Sequence, residues 1–464
     1  MVAFCKESQE GRKTKMGIIE DYQKKCVPAS EAVKIIKDGD NVDYGSFNGK
    51  PVVCDVALSE RSEELSDVKV FSTVTLPPVP EVVKHPESFT YHDMHFTKIS
   101  RVLQRDFNIG YYVPVMYHQV ADWFENSIVD KRNAAICAVC PMDEHGYFNL
   151  GPQNSATLAD MEAADKVIVE VNPNMPVCLG GAEESIHISK VDFVVEAPAD
   201  QKLPDLPVPE ASEADRKIAE NLMDYITDGC CIQLGIGGLP NAVGKIIAES
   251  DLKDLGGHTE MLADAYVDMI ESGRMTGVRK NLDKNRVPYT FAMGSQRLYD
   301  FMNNNPAVAS YPASYTNDPK LIAQLDKFIS INNAVQVDLY TQVNGESNGF
   351  NQISGNGGML DFVLGAQWSK QGKSFICLAS TFTDSSGTTQ SRIVPTFSPG
   401  SITTIPRQMV DYIATEFGVV QLRGRSTWDR TERLISIAHP DFRDELIKEA
   451  EAMKIWRHSN KKVG

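Results

Sequence analysis

The chain has 464 residues, 42% of them hydrophobic, with a formal net charge of −16 and a pI near 5.1. At roughly 150 residues per domain this length allows two or three domains with sizeable cores. The acidity argues against a nucleic-acid partner or an anionic membrane surface, and there is no long apolar run to span a bilayer.

The first fifteen residues, "MVAFCKESQEGRKTK", carry no apolar signal core and read as an N-terminal extension before Met16. The nine cysteines are odd in number and scattered, which fits a reducing, cytoplasmic compartment. From Ala29, "ASEAVKII" predicts a helix whose Ser and Glu suit a start. Asp38-Gly39 then makes a turn, an apolar strand runs toward Gly45, and a further turn leads through Pro51 into a helix. "VKVFST" (Val68 to Thr73) is the next strand. The pair Cys137 and Cys140 lies inside the apolar run "AAICAVC". With no second pair to complete a zinc site, it reads as buried thiols. Asp143, Glu144 and His145 are adjacent on a turn, where side chains diverge, and read as solvated rather than metal-binding. "GYFNLGPQNSATLADMEAADKVIVEV" (Gly146 to Val171) predicts a strand, a glycine-containing turn, a helix and a strand. The Pro-rich, charged stretch from Glu196 to Asp215 reads as a linker.

Beyond the linker the pattern repeats. "ASEADRKIAENLMDYI" begins a helix at Ala211. Asp38-Gly39 recurs 190 positions later as Asp228-Gly229, Gly45 as Gly235, and Pro51, after one gap, as Pro240. The adjacent Cys230 and Cys231 read as buried thiols. "HTEMLA" falls opposite "VKVFST", so that Glu260 stands where the first copy has Val70. "GFNQISGNGGMLDFVLGAQWSKQGKSFICLA" (Gly349 to Ala379) repeats the later strand–turn–helix–strand pattern. The predicted class is therefore α/β: two similar open α/β domains with mostly parallel sheets, made by internal duplication, over residues 16–205 and 206–464.

The second copy adds the features that carry chemistry. A carboxylate at an apolar strand position costs several kcal/mol unless it sits at a strand end facing a crevice, where open α/β sheets place their sites. The turn Gly235-Ile236-Gly237-Gly238-Leu239-Pro240 follows an apolar strand and opens a helix, an arrangement whose backbone N–H groups can cradle an anion. Pro240 breaks the G-x-G-x-x-G pattern, and the G-K-[ST] ending of a P-loop is missing. A nicotinamide or flavin oxidoreductase therefore lacks its fingerprint. "SGNGGMLDF" (Ser354 to Phe362) holds three glycines around Asn356, more than a connection needs and suited to close ligand approach or an oxyanion hole.

Taken in order, "GIGGLPNAVG", "HTEMLADAYVDMIESGRMTG", "SGNGGMLDFVLGA" and "SRIVP" resemble the acetyl-CoA hydrolase/CoA-transferase family, over essentially the whole chain from Met16. The resemblance implies that Glu260 is a nucleophile forming a glutamyl-CoA thioester. It implies that Asn317, in "YTNDP", and Gly358 assist it. It also implies CoA contacts at Gly235, Ile236, Gly237, Gly238, Leu239, Gly355, Asn356, Gly357, Gly358 and Ser385. Relatives often carry a lysine between the strand after "GNGG" and "SRIVP". Here that stretch has none, so Lys373 or Arg392 are candidates for the phosphates. The expected activity moves CoA between butyryl-CoA and acetate. The alternatives are 4-hydroxybutyrate or propionate as the acid, and water as the acceptor. A non-catalytic CoA sensor would lack the nucleophile. CoA is then a substrate, the partners are acyl-CoA and short-chain carboxylates, no metal or redox cofactor is needed, and the family suggests a homodimer. A carboxylate nucleophile needs no base, so His258 is expected to be structural. Phe47 and Thr75 are candidates for the acyl pocket across the cleft.

Overall fold

A computed structural model describes residues 9–206, 210–235 and 237–459, with side chains from residue 17 onward. Each half of the chain builds one large sheet from short strands, and smaller two- and three-stranded sheets lie beside these. The first half contributes β1 (Asn41–Ser46), β2 (Val68–Thr73), β3 (Phe89–Asp93), β4 (Gly110–Tyr112), β5 (Ala134–Val139), β6 (Lys166–Val171) and β7 (Phe193–Glu196). They lie in the order β4-β3-β2-β1-β5-β6-β7, every pair parallel. The second half contributes β8 (Cys231–Leu234), β9 (Gly256–Gly257), β10 (Phe328–Asn333), β11 (Lys373–Cys377), β12 (Tyr412–Thr415) and β13 (Gly418–Gln421). Their order is β9-β8-β10-β11-β12-β13, parallel except for the closing β12–β13 hairpin. Central parallel strands are covered on both faces, which is why β5 and β8 are buried at every position.

The strand order reverses direction at β1 and at β8: β1 has β2 on one side and β5 on the other, and β8 has β9 on one side and β10 on the other. A crevice opens at the carboxyl end of such a strand. In both copies a turn and a helix follow there: Val53–Ser59 after β1 and Gly238–Glu249 after β8.

Strand pairing corrects one expectation. Val42 pairs with Val70, whereas its counterpart Ile232 pairs with Gly257. Gly257 therefore occupies the place of Val70. Glu260 lies three residues further on, at the place of Thr73, in the bend between β9 and the short strand Met261–Leu262. A run of apolar residues does not set its own register, and the segment between the paired strands is three residues shorter in the second copy.

The helix starts also differ between the copies. Ser212 accepts from the Asp215 N–H at 3.1 Å and the Asp215 carboxylate bonds back, a full capping box for helix Glu213–Met223. In the first copy Pro28, not Ser30, stands at the N-cap, and the helix stops after Ala29–Ala32. The boundary expected after residue 15 falls inside a helix, Gln9–Lys25.

Cys137, Cys140, Cys230 and Cys231 are buried and unbridged. Asp143 caps its own turn by accepting from the backbone of His145 and Tyr147, which accounts for that acidic cluster. Among the described residues no helix is long and apolar enough to cross a membrane, and no group of three His, Cys, Asp or Glu is placed to hold a metal.

Candidate active site

The two halves meet at a cleft of about 360 Å³ over the carboxyl end of β8. Its second-half wall begins with Leu234 and Gly235. A Cβ on Gly235 would meet nothing, so the backbone here faces open space into which a ligand can come close. Gly237 has φ +125°, a conformation reserved for glycine. Ile236 lies outside the described residues. Leu239 is buried in the core, and a Cβ on Gly238 would face Asp215 and the backbone of Glu210 and Ala211. These two residues of the expected CoA turn therefore point away from the cleft.

Glu260 enters the cleft from the bend after β9. Its carbonyl accepts from Thr290 and Phe291, which fixes the backbone and aims the side chain. Asn317, fully buried between helices Ala313–Thr316 and Pro319–Ile322, donates from Nδ2 to Glu260 Oε2 at 2.6 Å. The Thr316 hydroxyl donates to Asn317 Oδ1 at 2.8 Å, which holds the amide with its NH2 toward the glutamate. The Gly358 N–H also reaches the carboxylate. Burial pushes the Glu260 carboxyl up to about 7. The Asn317 bond opposes that rise, the nearby Asp361 charge adds to it, and the Gly358 N–H opposes it.

His258 does not face the reaction space as a base. It is buried and donates from Nε2 to the Thr316 carbonyl at 2.8 Å, so it anchors the residue before Asn317. Burial lowers its pKa to about 3 and keeps the ring neutral. Its expected structural role is what the geometry gives.

The glycine segment is held from the first half. His95 Nε2 bonds Ser354 Oγ at 3.1 Å, and the Asn356 N–H donates to Tyr112 Oη at 3.2 Å. Asn356 Nδ2 donates to the Val115 carbonyl at 3.3 Å, and His118 bonds Asp361 in the first turn of helix Met359–Trp368. Gly355, Asn356, Gly357 and Gly358 therefore all line the cleft beside Glu260. His95, Tyr112, His118 and Asp361 escaped the sequence reading. The first three lie more than 240 residues from their partners, and no local pattern marks them.

Across the cleft stand Phe47, Val74, Leu76, Met94, Phe96 and Val115. Phe47 stacks on Phe291 with centroids 3.5 Å apart. Phe47 and Val74 both have positive φ, 52° and 64°, costliest for the β-branched Val74, which places strain where this wall meets the cleft. Thr75 is corrected: it is fully buried and bonded to Tyr91 and Asp93, while its neighbours Val74 and Leu76 line the wall.

Three expected phosphate or CoA contacts are not brought to this cleft. Ser385 is exposed in the turn of hairpin Thr381–Thr383/Thr389–Ser391 and is not among the lining residues. Lys373 opens β11, at the end of the strand opposite to the cleft. Arg392 spends its guanidinium on the carbonyls of Val335 and Thr381.

The chain matches the models of the acetyl-CoA hydrolase/transferase N-terminal domain over residues 9–204 and of the acetyl-CoA hydrolase/transferase C-terminal domain over residues 294–450. Glu260 lies between the two spans, whereas Asn317 and Gly358 fall in the second. The chain is 49% identical over 450 residues to butyryl-CoA:acetate CoA-transferase of Anaerostipes caccae, covering 96% of this chain and 100% of that one. It is 46% identical over 451 residues to the probable butyrate:acetyl-CoA coenzyme A-transferase of Syntrophomonas wolfei, covering 96% and 99%. Among solved structures, RipA from Yersinia pestis is similar with a TM-score of 0.86 at 37% identity, covering 94% of this chain and 99% of that one.

Proposed function

This chain belongs to the acetyl-CoA hydrolase/transferase family, and on that premise we propose that it moves CoA between butyryl-CoA and acetate through a glutamyl-CoA thioester. The observation that carries the reading is the Glu260 carboxylate, set in a cleft between the halves with an amide side chain and a backbone N–H on it.

The chemistry needs only that carboxylate. A Glu260 oxygen attacks the acyl carbonyl of butyryl-CoA, the C–S bond breaks, and CoA leaves as thiolate from a mixed anhydride. The thiolate attacks the glutamyl carbonyl, the anhydride C–O bond breaks, and butyrate departs. Acetate then runs both steps in reverse and leaves as acetyl-CoA. Asn317 and Gly358 already contact the glutamate, so they are placed for the oxyanion that forms on the glutamyl carbon itself. The first-half wall also carries Thr73, His95, Thr97 and Tyr117 but is mostly apolar, a balance that favours an unsubstituted butyryl chain over a 4-hydroxybutyryl chain. The reading includes no metal or redox cofactor, and a cytoplasmic homodimer whose mass light scattering would measure.

The test is chromatography of the CoA species after mixing the protein with butyryl-CoA and excess acetate. Acetyl-CoA should rise as butyryl-CoA falls. Free CoA alone would make water the acceptor, and no change would end the butyryl assignment.

A pH dependence follows. Attack requires the ionised carboxylate, and Glu260 ionises near 7. The rate constant kcat/KM for butyryl-CoA should therefore climb about tenfold per unit below pH 7 and level off above it. A profile already flat from pH 5 upward would contradict this environment for Glu260.

A further inference from the structure

His118 and Asp361 form a pair that the transfer steps do not use. His118 comes from the short turn Tyr117–Gln119 of the first half, and Asp361 from the helix that begins at Gly358. Asp361 is completely buried. It accepts from His118 Nδ1 at 2.8 Å and from the His118 backbone N–H at 3.2 Å. It also interacts with the Asn317 amide, and its charge acts on Glu260. One buried carboxylate thus touches the residue that orients the nucleophile, repels the nucleophile, and is bonded twice from the opposite half.

Resting on the glutamyl-thioester reading, we infer that His118 is a positioning residue that acts through Asp361. Its two bonds fix the first turn of the helix that presents the Gly358 N–H, and its imidazolium offsets the Asp361 charge that Glu260 meets. A buried carboxylate without a paired cation would oppose a second carboxylate in the same site. With His118 charged, the pair is near neutral and Glu260 ionises more readily.

The groups around the pair are few. Asp318 and Lys320, on the segment after Asn317, act on His118 with opposite signs. Burial opposes charge on His118, but the bond to Asp361 and its charge prevail and its pKa is raised. Glu260 faces Asp361 from its own half and Tyr117 from the other. His95 lies beside Gly357 and is kept neutral by burial, so it contributes no charge.

The experiment is a set of kcat/KM profiles against pH with intact-mass measurement on each protein. Asp361→Asn removes the opposing charge and should move the acid limb down by about one pH unit. His118→Asn keeps an N–H for Asp361 but loses the cation, and should move the limb up by about half a unit. In the double variant His118→Asn should add nothing to Asp361→Asn, because its effect runs through that carboxylate. An unmoved limb in His118→Asn, with kcat or Tm alone reduced, would overturn the inference and leave a purely structural bond. An equal shift from His118→Asn in both backgrounds would overturn it too. Should Asp361→Asn fail to fold, the limb of His118→Asn decides alone. Wild type incubated with butyryl-CoA and no acceptor should show a covalent CoA adduct. Its absence would refute the glutamyl reading, and the inference with it, whatever the limbs do.

Discussion

Glu260→Ala should lose CoA transfer by roughly 10⁴-fold or more, in the range seen when a covalent nucleophile is removed, while remaining folded. Folding does not require this side chain, for a visible reason. What ties the bend into the second half is the Glu260 carbonyl, bonded to Thr290 and Phe291, and the substitution keeps it. The variant should also show no CoA adduct by intact mass. Glu260→Gln sharpens the test, because it keeps the shape and gives Asn317 an amide oxygen to bond. It should be equally inactive yet more heat-stable at alkaline pH. The native carboxyl ionises near 7 against 4.5 in the unfolded chain. Between those values the native state binds more protons, so stability falls as pH rises through that window. Above pH 7 the full penalty applies, on the order of 3 kcal/mol. The Tm of Glu260→Gln should therefore exceed that of wild type at pH 8 and match it at pH 4. A variant that still transfers CoA would remove Glu260 from the mechanism. An equal Tm at both pH values would show that the carboxylate carries no such penalty.

Much of this site was legible along the chain because its parts are locally dense. The "GNGG" segment and the glutamate-bearing stretch stand out against their own copies in the first half, and the resemblance supplied Asn317. Two kinds of information were not local. Register was one: the offset of 190 holds from Asp38-Gly39 to Gly45 but not into the next strand, so spacing alone places Glu260 opposite Val70 while strand pairing places it opposite Thr73. The apposition of the halves was the other. His95, Tyr112 and His118 look like ordinary polar residues until the second sheet brings Ser354, Asn356 and Asp361 against them. The cation candidate Lys373 fails for a further reason. Lys373 is close to the site in sequence but stands at the far end of its strand, and sequence spacing does not say which end of a strand faces the ligand.

Gly358→Ala is the second large effect, expected at about 10³-fold or more in kcat/KM with little change in Tm. Its backbone, φ −92° and ψ 10°, is open to alanine, so the substitution adds no conformational strain. The cost is steric and falls on the nucleophile: the new Cβ would overlap both Glu260 Oε2 and Asn317 Nδ2. The carboxylate must swing away, and it then loses the Asn317 bond and the Gly358 N–H together. One such donor is worth roughly 10²–10³ in rate, so losing two exceeds what Asn317→Ala alone should do. The neighbouring Gly357 provides the contrast, since φ +50° there makes alanine strained through the backbone and its loss would register in stability as well. A fully active Gly358→Ala would mean that Glu260 reacts from a different orientation, and the two donors would then have to be sought elsewhere in the cleft.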